Sequence, residues 1–309
     1  MLWLTRECER LVDIVSAGQP RARSAAFSSF SRSDRLFRRI GWEHVPTLLA
    51  AAVIVALLAI ALTVPWWAPY DPIAIVGRRL QAPSWQHWLG TDALGRDVMV
   101  RTLYGTRYSL PIVAAVLLAA VVIGVFVGAV AGFLGGVTDN VLMRVSDVTL
   151  AFPPVLLAMA IAASLGPGLV NTALALIIVW WPIYARLMRA QVMSVNKLDH
   201  VDAAIVGGVK PVRLLLKHIM PLCWSPIFVN ATMDVGQVIL VAAGLSFIGL
   251  SAQPPTPEWG QMISEGASNF YFWWIAFGPG MAIFLVSLSA NFLGDALRDF
   301  TDPHSGHGA

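Results

Sequence analysis

The sequence predicts an all-α membrane protein with six transmembrane helices, and three observations carry that prediction. Hydrophobic residues make up 57% of the 309 and charged ones only 13%, against roughly 25% charge in an average soluble domain. Charge-poor apolar runs recur along the chain, near the length of about 20 residues that a helix needs to cross a bilayer core. The runs are continuously apolar, without the alternation that marks the strands of a membrane β-barrel. A formal net charge of +3 suits basic loops on one side of a membrane and does not point to nucleic acid.

Residues 1–44 form an Arg- and Ser-rich tail containing Arg6, Arg10, Arg21, Arg23, Arg32, Arg35, Arg38 and Arg39. Organelle transit peptides share this composition, but the preferred reading is a cytoplasmic tail that sets orientation by the positive-inside rule. Residues 11–15 suit part of a short amphipathic surface helix. The first span, 45–64, exceeds the about 7–15-residue core of a cleaved signal peptide and reads as an uncleaved anchor. It ends at Pro65-Trp66-Trp67, aromatic residues suited to the headgroup layer. Residues 65–107 then read as an extracytoplasmic loop, turn-rich through Pro69, Pro72 and Pro83.

The remaining spans fall within a core block, 108–296. The second, 109–134, carries Gly124, Gly128 and Gly132 on one stripe; small residues at this spacing let membrane helices approach closely, here within one subunit. The third, 141–165, is expected to kink or break near Pro153-Pro154. Gly166-Pro167-Gly168 is a turn before the fourth span, 169–187. A polar, basic interruption at 199–221 separates it from the fifth, 222–250. An outer loop at 251–271 without Lys or Arg leads to the sixth, 272–293, and residues 297–309 are read as a second cytoplasmic tail. Arg186, Arg189, Lys197, Lys210, Arg213 and Lys217 then share a side with the first tail, as the rule demands. The outer loop with Arg78, Arg79, Arg96, Arg101 and Arg107 is the exception.

Enzymatic chemistry finds little support. No GxxxxGK(S/T) phosphate loop, HExxH, GxSxG or close Cys pair occurs, so nucleotide, metalloprotease, hydrolase and structural-zinc readings lack their motifs. Cys8 and Cys223 read as free thiols, and the six histidines are scattered, with His304 and His307 in the terminal tail. Asp234, with Asn230 one turn before it, is the clear ionisable residue inside a span, and an intramembrane charge is by default a functional hypothesis. Two readings stay open: a wall of a translocation path that contacts a substrate amine, or an interhelical hydrogen bond within the bundle.

The loop at 199–221 reads DHVDAAIVGGVKPVRLLLKHIMP. About eight residues after Leu198 suit a short helix that Gly207-Gly208 terminates. Pro211 is placed to start a second helix through Arg213, Lys217 and His218 to Pro221. Ala203-Ala204 keeps the first helix slim, as a helix laid in a partner's groove requires; an ordinary amphipathic surface helix is the plainer alternative.

The acid-Ala-Ala, three residues, Gly and Ile/Leu-Pro pattern resembles the EAA loop of binding-protein-dependent ABC importer permeases, with Asp202, Ala203, Ala204, Gly208 and Pro221 in its places. The likeness extends through HWLGTDALGRDV at 87–98, MRVSDVTLAFPP at 143–154, LSFIGL at 245–250, PPTPEWG at 254–260 and NFLGDALRDFTDP at 291–303. Over about residues 85–303, in order, these resemble the C-type subunit of the dipeptide/oligopeptide (peptide/nickel) importer family. The resemblance implies a type I ABC transporter transmembrane-domain fold in the bacterial inner membrane, with both termini cytoplasmic. It further implies a homologous permease as heterodimer partner, two cytoplasmic ATPase subunits that bind ATP and Mg, and an extracytoplasmic solute-binding protein. The chain itself would hold no cofactor, metal or catalytic residue. The 199–221 loop would be the coupling element seated on the ATPase, and Asp234 and Asn230 the candidates for the path. The chain departs from the pattern at Asp202, where Glu is usual, at Met220 and Leu222, where Leu and Asn are common, and at Ala242, where many relatives have Glu.

The leading expectation is therefore a permease subunit for dipeptides or oligopeptides, with nickel chelates or glutathione as alternative solutes. A stand-alone ion-coupled carrier using Asp234 is the reading from another class, and would work as a purified single chain. A membrane-embedded hydrolase lacks a nucleophile–base pair.

Overall fold

A computed structural model describes residues 45–301. The tail at 1–44, with Cys8 and the surface helix expected at 11–15, lies outside the described residues, as do His304 and His307.

The described chain is helical, without a strand ladder; one isolated bridge joins Thr91 and Asp97. Helix α1 is Val45–Trp67, α2 Val98–Leu134, α3 Gly136–Leu150, α4 Pro154–Leu165 and α5 Leu169–Val195. Two short helices, α6 Asp199–Val206 and α7 Pro211–Leu214, lead through a π-helical turn, Leu215–Ile219, into α8 Met220–Phe247. Helix α9 is Trp259–Ser268 and α10 Trp274–Thr301. Five helical stretches are long and apolar enough to cross a membrane, or six if α3 and α4 count as one span broken by 89°.

That break falls at Pro153-Pro154, as expected. Neither proline can donate a backbone hydrogen bond, so α3 stops at Leu150 and Pro154 restarts the helix at its first turn. The Gly-Pro-Gly turn is likewise present: Gly166 at φ +86° and Gly168 at φ +155° take conformations that a Cβ disfavours.

Several boundaries differ from the sequence expectation. Helix α1 runs three residues beyond 64, to Trp67. The outer loop ends at Asp97 and not at 107, because the Asp97 carboxylate accepts the Val100 N–H and caps α2 there. Loop 251–271 holds α9, capped by Glu258, which accepts from Gly260 and Gln261 N–H. Residues 297–301 are helical and continue α10.

The core is set by how closely α2 meets α5. A Cβ at Gly124 would sit 2.6 Å from the Trp181 carbonyl oxygen, at Gly128 2.2 Å from that of Ala185, and at Gly132 2.9 Å from that of Arg189. The glycine stripe therefore packs backbone on backbone, as the spacing predicts. Around this contact are buried Leu176, Tyr184 and Met188 of α5 and Ile227 and Ile239 of α8. Cys223 is also buried, a free thiol as expected, and donates to the Ile219 carbonyl.

The loop before α2 and helix α9 close one end of the bundle with a polar knot. His87 Nδ1 lies 2.7 Å from Asp97 Oδ2, and Arg96 pairs with Asp92 and, at 3.1 Å, with Glu265 on α9. Arg101, 1% exposed, lies 3.5 Å from Asp92. Trp259 drops its ring into the space left by Gly105, and its indole N–H donates to the Thr102 carbonyl at 2.9 Å. The HWLGTDALGRDV and PPTPEWG segments are thus two halves of one cap.

Two outcomes are expected. Gly128→Leu should destabilise the folded protein by at least roughly 1–3 kcal/mol, because the obstructing atom is backbone and cannot turn aside. Gly244→Ala, with open space at its Cβ, should be neutral; thermal unfolding in detergent reads both. Burial raises the Glu265 carboxyl above its ordinary value of 4.5, with Asp92 adding to the rise. The native state then takes up this proton at higher pH than the unfolded chain, so the group's contribution to stability grows as pH falls through that window. Glu265→Gln cannot titrate, and the wild type should gain melting temperature relative to it as pH falls toward the ordinary carboxyl value.

Candidate functional site

The 199–221 loop folds as a small, closed unit with an apolar outer rim. Asp199 and Asp202 lie in the first turn of α6, where a negative charge complements the helix dipole. At its end the Gly208 N–H bonds to the Ile205 carbonyl at 3.0 Å and the Val209 N–H to that of Ala204 at 3.1 Å. Gly208 adopts φ +75°. This pair of bonds with a left-handed residue between them is the Schellman closure, and it explains why the second glycine is needed. Pro211 starts α7, again as expected.

Burial sorts the loop into two faces. Val201 is fully buried, and Ala204 and Val209 pack against the core. Asp202, Ala203, Gly208 and Pro221 are exposed. So are large apolar side chains: Val206 is 89% exposed, Val212 69% and Ile205 53%. Sequence reasoning singled out the small residues and missed this rim. Its signal was present in IVGGVKPV, an apolar run in a loop that is otherwise charged.

Pro221 does not end a helix. It stands at the second position of α8, in a continuous helical path from Pro211 to Phe247. The π turn before it carries the Met220 N–H to the Leu215 carbonyl, five residues back, so the ladder shifts by one residue where the proline has no N–H to give.

Asp234 lies in the bundle, 7% exposed. Its Oδ2 accepts the Tyr184 hydroxyl from α5 at 2.7 Å and the Asn230 amide at 3.2 Å. The two residues named for the path are thus together, and the interhelical hydrogen bond left open by the sequence is formed. A second tie the sequence did not reveal joins α5 to α3, where Arg189 engages both carboxylate oxygens of Asp139.

No group of three or more His, Cys, Asp or Glu residues among the described residues is arranged to hold a metal ion. What the fold presents is a multi-pass helical bundle with a polar cap at one end and a slim helix with an apolar rim in the loop before α8. That combination is a multi-pass membrane bundle with no metal-holding cluster among the described residues. Residues 124–305 match the family described as binding-protein-dependent transport system inner membrane component. The chain is 42% identical over 259 residues to the nickel transport system permease protein NikC of Escherichia coli, covering 82% of this chain and 93% of that protein. It is 41% identical over 258 residues to the dipeptide transport system permease protein DppC of Alkalihalophilus pseudofirmus, covering 83% of each. It is 40% identical over 270 residues to the glutathione transport system permease protein GsiD of Pectobacterium atrosepticum, covering 86% and 89%. The chain belongs to this family of inner-membrane permease subunits of ABC importers, which are transport components and not enzymes. Importers of this kind operate with ATPase and solute-binding protein partners.

Tyr184→Phe tests the buried tie. It removes a donor from a buried carboxylate without changing the packing, and should lower stability by about 1–3 kcal/mol in detergent melts.

Proposed function

We propose that this chain is the permease subunit of an importer for dipeptides or oligopeptides, and that α6 is where a cytoplasmic ATPase engages it. The observation that carries the coupling assignment is the outer face of the 199–221 loop. Ile205, Val206 and Val212 hold apolar surface in water around the slim Ala203, an arrangement that becomes favourable once a groove covers it. Asp202 sets the charge at the start of α6. Ala203 and Ala204 keep the helix narrow, Gly208 turns the chain out of it, and Pro221 sits where the loop joins α8.

In this reading the chain pairs with a homologous permease, two ATPases lie beneath the pair, and a solute-binding protein delivers cargo from outside. ATP and Mg bind the ATPases, and this chain holds no cofactor. Both termini are cytoplasmic, in keeping with Arg186, Arg189, Lys197, Lys210, Arg213 and Lys217 on the loop side. Peptides are the preferred solute because relatives that carry dipeptide and glutathione in their names share the same core at about 40% identity. The name of NikC keeps nickel, as a chelate, as the second reading. Asp234 and Asn230 are assigned to the wall of the path, reached through the helices that Asp234 ties together.

Ala203→Trp and Gly208→Trp, made in the tagged complex, should cut ATP-driven uptake by roughly tenfold or more, equivalent to about 1.4 kcal/mol at the contact. ATPase retention on the tagged permease measures assembly in the same samples. Wild-type assembly and uptake in both variants would remove the coupling assignment. For Asp234→Asn, a path role predicts reduced uptake with an unchanged melting temperature.

A further inference from the structure

The arginines between α1 and the first turns of α2 run against the charge pattern of the other loops, and the fold accounts for only part of them. Arg96 and Arg101 are buried among Asp92 and Glu265, and Arg107 is exposed on α2. Arg78 and Arg79 are adjacent and exposed. Among the described residues no carboxylate pairs with either guanidinium. Asp71, the exposed acid of this loop, accepts the Ile73 N–H.

The backbone beneath these two side chains is nonetheless fixed. The Thr91 hydroxyl donates to the Arg78 carbonyl at 2.5 Å and accepts the Gln81 N–H at 2.9 Å. The Leu80 N–H donates to the Asp92 carbonyl and the Thr91 N–H to that of Gln81, each at 3.0 Å. Leu80 stands at φ +56°, a conformation that a bulky side chain strongly disfavours. Its side chain is held against the buried group of Val98, Met262, Trp274 and Ile275. Strain of this kind persists where the surroundings over-determine it, and it collects at functional segments. The same loop leaves Ile75 72% and Trp85 96% exposed. Arginine and aromatic side chains are the residues enriched where proteins meet.

We infer that Arg78 and Arg79 form a docking surface for an acidic face of the extracytoplasmic solute-binding protein. This assignment rests on the orientation and the partner of the reading above, and names where that partner lands. Paired cations on a rigid loop steer an oppositely charged partner and fix its orientation on arrival. Anionic lipid headgroups suit the loop less well. Lipid recognition uses clusters of about 4–8 basic residues, and it needs no bonded backbone to aim them.

The test places the complete importer in nanodiscs of phosphatidylcholine and measures the Kd of its own solute-binding protein by interferometry. The double variant Arg78→Glu, Arg79→Glu should weaken docking by roughly tenfold or more at about 0.01–0.1 M salt, and the difference should vanish near 1 M, where charges are screened beyond about 3 Å. Arg78→Ala with Arg79→Ala should fall between this variant and the wild type. Both positions are exposed, so melting temperature and basal ATP hydrolysis should stay at wild-type values. An unchanged Kd in the charge-reversed variant overturns the docking surface, as does a loss that persists at 1 M salt. A loss seen only when phosphatidylglycerol is added to the nanodiscs assigns the arginines to lipid and overturns it too. A wild-type importer that does not bind the solute-binding protein at all overturns the partner reading itself, and the surface with it.

Discussion

The contact between α2 and α5 is the constraint on which the rest of the bundle depends. Helices in a bilayer gain little by burying apolar surface against each other, because lipid tails are equally apolar; close packing and interhelical hydrogen bonds must supply the attraction. Gly124, Gly128 and Gly132 bring the α2 backbone against the carbonyls of Trp181, Ala185 and Arg189. From the helix so fixed, Tyr184 reaches Asp234 on α8 and Arg189 reaches Asp139 on α3. Trp180 on the same helix lines a cavity at the broken span. One backbone contact thereby sets the position of all three features.

The two ends of the molecule are built on opposite principles. At the α9 end Asp92, Arg96, Asp97 and Arg101 are buried and paired, with Glu265 beside them. Such groups are strongly disfavoured unless every charge is matched, so the cap has few alternative arrangements. At the other end the 199–221 loop leaves apolar side chains in water and closes its own backbone through the Schellman bonds. The first arrangement holds a shape without help. The second is satisfied internally in its hydrogen bonds and leaves its apolar surface uncovered by the rest of this chain.

Much of this was legible in the sequence wherever the cause is local. Pro153-Pro154 breaks a helix because of missing N–H groups, Gly166 and Gly168 turn because they lack Cβ atoms, and Gly207-Gly208 ends α6 for the same reason. The misplaced features have causes remote in sequence. Helix α2 starts at Val98 because Asp97, oriented by His87 ten residues earlier, caps it. Helix α9 forms where Ser109, on a different helix, donates to the capping Glu258. Pro221 continues a helix because a π turn absorbs the register shift, and no residue pattern marks a π turn.

The sequence by itself determined that the chain lives in a membrane, how many apolar segments it has, where they break, and where a short slim helix interrupts them. All of these follow from composition, hydropathy and the backbone limits of Gly and Pro, which act within a few residues. Only the tertiary structure decided that Asp234 is tied to Tyr184 and that Arg96 and Arg101 are buried among acids. Those facts depend on distances between residues far apart in the chain, set by how closely the glycine stripe lets two helices meet.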